Sequence, residues 1–141
     1  MMKLKKLKLT LILILSPNFL WANTQFFNEG LNFYKIKQFE KAKFKFEQDI
    51  VFNPKSEKSY LYLSKIFRNL DKKDLEEQNL KTVILLNPKN EEAIYNLARL
   101  KLETSDYNKS KELNERLTNL CKKLCDESQK LKVEIENLLK K

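Results

Sequence analysis

The chain has 141 residues and a formal net charge of +9, and 33% of its residues are charged. It has no histidine and one glycine, which excludes histidine-based triads, histidine metal sites and glycine-rich phosphate loops. Nine phenylalanines and five tyrosines supply material for a core, and the scarcity of Gly and Pro favours helices over sheets. We therefore expect an all-helical protein that is not an enzyme and uses no cofactor or metal.

The first predicted element is a signal peptide at residues 1–22. Four lysines and no acidic residue precede or flank a short apolar run at residues 9–15, and a small residue, Ala22, ends the segment. This order is typical of secretory leaders, and the run is shorter than the roughly 20 residues that a membrane span needs. We expect export to the periplasm or cell envelope. The alternative is an uncleaved N-terminal anchor, and in either case membrane contact involves this segment alone.

Removing the leader lowers the net charge. Four of the 28 basic residues and none of the 19 acidic ones are lost, so the remainder carries 24 minus 19, or +5. The remaining charges are interspersed, whereas nucleic-acid binding needs clustered Lys and Arg on one face. We therefore expect no nucleic-acid partner.

Two similar hexapeptides, VFNPKS and LLNPKN, place Pro54 and Pro88 34 residues apart. Blocks of this length, 23–56, 57–90 and 91–124, bring apolar residues into register at helical spacing. Each block predicts two short amphipathic helices that cannot bury their apolar faces until neighbouring blocks stack on them. The Asn-Pro-Lys tripeptide is then the boundary between helix pairs, because Pro ends a helix and disfavours helical angles in the residue before it.

Small residues recur inside the blocks at matched places. Gly30, Ser64 and Ala98 occupy the first helices, and Ala42 and Ser110 occupy the second. We expect the two helices of a pair to approach each other closely there.

A set of residues spread over the three blocks matches a known repeat pattern. They are Gly30, Phe33, Phe39, Ala42, Phe46, Pro54, Leu63, Phe67, Leu80, Pro88, Leu97, Ala98 and Tyr107. Through them, residues 23–124 resemble the tetratricopeptide repeat (TPR) family. The pattern is broken at several positions, among them Glu76 and Asn114. The resemblance implies a helix-turn-helix solenoid, a TPR-like superhelix whose first helices line a concave groove for a peptide or partner helix.

The groove implied by the resemblance combines aromatic anchors with cations. Its predicted lining is Phe27, Leu31, Tyr34, Lys35, Leu61, Lys65, Arg68, Asn69, Tyr95, Arg99 and Leu102. Because Arg pairs with carboxylates, the resemblance implies a protein or peptide partner that includes acidic segments. The family's carboxylate clamp is not reproduced, so binding of chaperone tails is not implied. The positions that form the clamp in the family are occupied in this chain by Phe27, Leu31, Tyr62, Glu92 and Asn96.

Residues 125–141 are predicted to form a C-terminal capping helix, which repeat arrays need. Leucines recur every seven residues from Leu117 to Leu138, so the alternative is a homodimer seam over residues 105–141. This region predicts either one long helix or a break near Asp126, whose carboxylate would cap a helix together with Gln129.

Two further features of the sequence, a cysteine pair and two acidic pairs, bear on chemistry. A metal site at Cys121 and Cys125 would need two more ligands, and the chain has no histidine and no further cysteine. The two cysteines therefore predict either two half-buried thiols or a disulfide, formed locally or between chains. The paired carboxylates Glu76–Glu77 and Glu91–Glu92 lie in lysine-rich stretches and predict solvated helix faces. The sequence thus favours a non-catalytic scaffold of the cell envelope that binds a partner segment in its groove, with self-association as the alternative.

Overall fold

A computed structural model describes residues 18–140, and the all-α prediction is confirmed: this range contains helices and no strand. Most of the predicted signal peptide lies outside the described residues, although the first helix runs through the predicted cleavage position at Ala22. The helices are α1 (Asn18–Lys35), α2 (Phe39–Phe52), α3 (Glu57–Asn69), α4 (Lys73–Leu86), α5 (Glu91–Glu103), α6 (Tyr107–Leu120) and α7 (Cys125–Leu139).

Consecutive helices pack in pairs, α1 with α2, α3 with α4 and α5 with α6, and each pair packs on the next. Pro54 and Pro88 lie between pairs, as predicted. Asn53 and Asn87 end α2 and α4 with φ of −133° and −137°, outside the helical region, as expected of residues that precede proline. Asn-Pro-Lys therefore separates one helix pair from the next.

The turn inside each pair contains one residue in the left-handed region. Lys37, Asp71 and Ser105 have φ of 58°, 53° and 62°, and they are spaced by 34 residues. The next amide donates back into the preceding helix each time, as from Gln38 to the Phe33 carbonyl at 2.9 Å. This is a common way to end a helix, but the left-handed position is usually glycine.

The small residues lie where paired helices touch. Gly30 is buried against Phe46, whose ring carbons would be 2.8 and 2.9 Å from a Cβ atom at residue 30. Ala98 and Ser110 are fully buried, and the Ser110 hydroxyl donates to the Ala98 carbonyl at 2.8 Å. The predicted close approach of the helices is confirmed at these positions.

The C-terminal region breaks after Leu120 and does not form one long helix. Helix α7 packs back on α6 and α5, which buries Leu117, Leu131 and Ile135 inside the protomer at 2% exposure or less. The heptad leucines of the predicted dimer seam are thus used within one chain, because the break at residues 121–124 lets α7 fold against its own neighbours. Within the described residues 105–140, the leucines therefore form no continuous seam for a second copy.

The predicted capping box at Asp126 is wrong. Asp126 lies in the first turn of α7, and the residue at the cap, Leu124, has no side-chain acceptor. The turn instead receives a carboxylate from another helix. Glu91, at the start of α5, accepts backbone N–H groups of Lys122, Lys123 and Leu124, each at 2.9 Å.

Candidate binding groove

The first helices of the pairs share one side of the molecule, where Tyr62 joins α1 to α3. Its ring centroid lies 5.1 Å from that of Tyr34 and 5.8 Å from that of Phe27. It also stacks on the buried Phe46 at 5.2 Å, and the Lys65 ammonium lies 4.8 Å from its centroid. Burial raises the pKa of Tyr34. Sequence reasoning placed Tyr62 only among the unmatched clamp positions and missed this central contact.

Ion pairs continue this side from α3 through α5 to α7. They join Lys65 to Glu92 at 2.6 Å, Arg68 to Glu103 at 2.7 Å and Arg99 to Glu134 at 2.8 Å. We call the surface formed by Phe27, Leu31, Tyr34, Tyr62, Lys65, Arg68, Tyr95 and Arg99 the inner face. Its cations are already neutralised by carboxylates of the next first helix or of α7.

Two predicted lining residues belong to the core. Leu61 is 9% exposed and Leu102 is 7% exposed, and both lie in the apolar cluster that includes Ile94 and Leu97. A periodic pattern identifies the helix side to within about one residue, and here that side turns toward the neighbouring pair. Both assignments to the groove surface are therefore corrected. Lys35 and Asn69 are exposed.

A cleft of about 590 Å³ opens between the beginnings of α5 and α7. Its lining combines three glutamates with two lysines: Asn90, Glu91, Glu92, Tyr95 and Asn96 at the start of α5, Leu124 and Glu127 at the start of α7, and Lys89 and Lys123 of the adjoining turns. Tyr95 is the predicted groove residue that borders it. The cleft extends the inner face toward the C-terminal helix.

The carboxylates that complete the inner face were missed from the sequence. Glu103 and Glu134 each lie 35 residues after the arginine that they bind. That separation is one repeat plus one residue, so a search for opposite charges 35 residues apart would have found both.

The sequence predicted that the two acidic pairs form solvated helix faces, and the structure shows otherwise. Glu76 is 3% exposed, since it occupies the place that Ala42 and Ser110 take in the other pairs. Burial raises its pKa, although Arg68 lies 3.7 Å away. Hydrogen bonds from Lys101 and Lys81 lower the pKa of Glu77. Hydrogen bonds from the backbone N–H groups of Lys123 and Leu124 likewise lower the pKa of Glu91.

We expect the stability of the Glu76→Gln variant relative to the wild type to increase as the pH rises. A buried acid with a raised pKa ionises in the unfolded chain first, so its contribution to stability falls from pH about 4.3 up through the raised folded value. Gln keeps the shape without the charge. The variant should match the wild type in thermal unfolding near pH 4 and exceed it by a few degrees at pH 7.5, as followed by circular dichroism.

The adjacent Glu77→Gln is the matched control for this prediction. The pKa of Glu77 is lowered, so its contribution is present above the unfolded value and is lost as the pH falls. This variant should therefore be less stable than the wild type at pH 7.5. Equal effects of both variants would contradict the burial of an ionisable group at residue 76.

Within the described part of the chain, no three Cys, Asp or Glu side chains are grouped so that they could hold a metal ion. None of the helices in that part is both long and apolar enough to cross a bilayer. Cys121 and Cys125 flank the α6–α7 turn and form a disulfide.

No protein-family model and no curated protein matches the sequence. Solved structures with similar folds include the first TPR of Spaghetti (RPAP3) bound to an HSP90 peptide, with a TM-score of 0.77 and 14% identity over 86% of this chain and 95% of that one. The Yersinia enterocolitica secretion chaperone SycD with a peptide of the translocator YopD gives a TM-score of 0.78 and 15% identity over 85% of this chain and 95% of that one.

The TPR2B domain of yeast Sti1 in complex with Hsp70 gives a TM-score of 0.77 and 12% identity over 84% of this chain and 98% of that one. Similarity at such low identity shows the fold alone. Together with the paired helices of residues 18–120 and the helix α7 that covers them, it establishes that the chain has the tetratricopeptide repeat fold.

Proposed function

We propose that this chain is a non-catalytic protein-interaction module that binds a peptide or partner segment along the inner face. The observation that carries the proposal is the half-buried aromatic surface of Phe27, Tyr34, Tyr62 and Tyr95, continued by ion pairs between helices. Aromatic side chains provide contact area at low entropic cost, and a braced surface needs little reorganisation on binding. SycD and RPAP3 hold peptides on the same fold.

The partner's charge follows from which cations lack a carboxylate. Arg68 and Arg99 would have to exchange Glu103 or Glu134 for a partner's acid. Lys89 and Lys123 border the cleft and form none of the ion pairs found among residues 18–140, although Glu91, Glu92 and Glu127 line the same cleft. The charge of Lys123 also contributes to lowering the pKa of Glu91, so a partner's acid would compete with that carboxylate. We propose that acidic groups of a partner bind at these two lysines, whereas apolar groups bind at the aromatic surface.

We also propose that the protein is exported and acts in the periplasm or cell envelope. The lysine-rich start and short apolar run of residues 1–22 support this location. The disulfide between Cys121 and Cys125 suits an oxidising compartment.

Affinity capture of partners tests the groove. In Tyr34→Ser/Tyr95→Ser the inner face loses two aromatic anchors, and we expect recovery of bound partners from native envelope extract to fall at least tenfold, as measured by quantitative mass spectrometry. The control is Phe44→Ser/Leu85→Ser, which changes side chains that are 57% and 81% exposed on the second helices. It should retain full recovery, and both variants must keep the wild-type helical circular dichroism.

Unchanged recovery with the Tyr34/Tyr95 variant would exclude the inner face as the binding surface. A loss confined to the control would place binding on the second helices, and no enriched protein with the wild type would contradict an interaction module. The bait itself reports on export: its N-terminal peptide should begin at Asn23, whereas an intact Met1 would support the anchored alternative.

A further inference from the structure

The turn between α6 and α7 is closed into a small ring. Cys121 follows the last residue of α6, Cys125 begins α7, and their Cα atoms are 5.3 Å apart across the disulfide. Three residues lie inside the ring. Cys125 is exposed, so a reductant in solution can reach the bond.

The same three residues make the only long-range backbone contact described for this turn. Lys122, Lys123 and Leu124 all direct their N–H groups at the carboxylate of Glu91, at 2.9 Å. Glu91 lies 31 to 33 residues earlier, at the first position of α5. Three amides converge on one carboxylate only if the turn keeps its shape, and a covalent ring of five residues restricts that shape.

The contact holds a terminal helix. Helix α7 packs on α6 and α5 but has no further repeat behind it among the described residues. Its side chains Leu131 and Ile135 are nevertheless fully buried. It also forms one side of the cleft through Glu127. Where α7 sits therefore determines both the end of the core and the shape of the cleft.

We propose that the Cys121–Cys125 disulfide is a redox latch that holds α7 against α5. When it is oxidised, the ring keeps the three amides aimed at Glu91. A dithiol reductant opens it in two steps: one thiolate attacks a protein sulfur and displaces the other cysteine as thiolate, and the second thiol then releases the mixed disulfide. Two electrons pass to the protein, the reductant becomes a disulfide, and the turn is freed. This inference does not depend on the proposed function.

Hydrogen exchange on the full chain, read by mass spectrometry with and without dithiothreitol, tests the latch. We expect amides of residues 122–139 to exchange at least tenfold faster after reduction, while α1 to α4 keep their rates. Cys121→Ser/Cys125→Ser should show the fast rates in either buffer. Glu91→Gln, with the disulfide intact, should also speed exchange in α7, because the amide contact transmits the constraint.

Four results would overturn the proposal. Unchanged exchange in α7 after reduction would show that the ring holds nothing. Equal acceleration in every helix would make the disulfide a general stabiliser rather than a latch. Two free thiols, found by mass spectrometry of the chain purified without reductant, would remove the bond itself. A slow α7 in Glu91→Gln would show that the disulfide acts without the amide contact and would equally contradict the mechanism.

Discussion

Phe46→Ala is expected to lower the free energy of unfolding by about 3–5 kcal/mol. Phe46 is fully buried, with its ring stacked on Tyr62 of the next pair and 5.6 Å from the ring of Phe27. Removing it leaves a cavity at the junction of α1, α2 and α3, which rigid helix pairs fill only in part. Because small proteins are stable by about 5–15 kcal/mol, the loss would be a large part of the total.

Urea unfolding followed at 222 nm measures this loss, and Phe44→Ala is its matched control. Phe44 lies two residues away on the same helix and is 57% exposed. We expect the control to change the free energy of unfolding by no more than about 0.5 kcal/mol. Similar losses in both variants would contradict the assignment of Phe46 to the core and of Phe44 to the surface.

Gly30→Ala is expected to destabilise the protein by about 1–3 kcal/mol, although alanine is the better helix former. The new Cβ would lie 2.8 Å from Cε1 of Phe46, closer than van der Waals contact allows. The ring cannot retreat easily, since it is packed between Tyr62 and Phe27. The clash therefore outweighs the roughly 1 kcal/mol that the same change gains in an open helix.

Two further variants isolate this clash in the same urea experiment. Asn32→Ala, at an exposed position of α1, should leave stability unchanged or slightly raised. Gly30→Ala combined with Phe46→Leu should lose less than the sum of the two single changes, because the smaller side chain makes room for the methyl group. Strict additivity, or a stabilising Gly30→Ala, would show that the helices do not meet closely there.

Much of the fold could be predicted because the residues that mark the repeat have strong effects on local structure. Pro54 and Pro88 end helices whatever surrounds them. The small residues at 30 and 98 mark close helix contacts, as the structure confirms. The cleavage after Ala22 remains a prediction, since no observation tests it.

The errors concern residues whose role depends on a distant neighbour. Glu76 looks like one of many surface acids, yet it takes the buried place of a small residue beside Arg68. Glu91 looks solvated, but a turn 31 residues later delivers its hydrogen-bond donors. Local composition contains neither fact, because both follow from how successive pairs stack.

The groove itself remains a prediction, but the pairing of its three cations was not foreseen. Lys65, Arg68 and Arg99 lie on the first helices as expected, but each is paired with a carboxylate. The heptad leucines were equally ambiguous, since the same spacing serves a dimer seam or an antiparallel contact within one chain. A break of four residues at 121–124, without Pro or Gly, decided the outcome.

The left-handed residues in the three turns bear on how far this protein could be stabilised. The chain uses its single glycine for a helix contact and leaves Lys37, Asp71 and Ser105 in a backbone conformation that costs a residue with a side chain about 1 kcal/mol. Glycine at each of these turns would release that energy without altering a contact between helices. Each of the three helix pairs thus contains one turn at which a glycine substitution should raise the thermal stability of the protein.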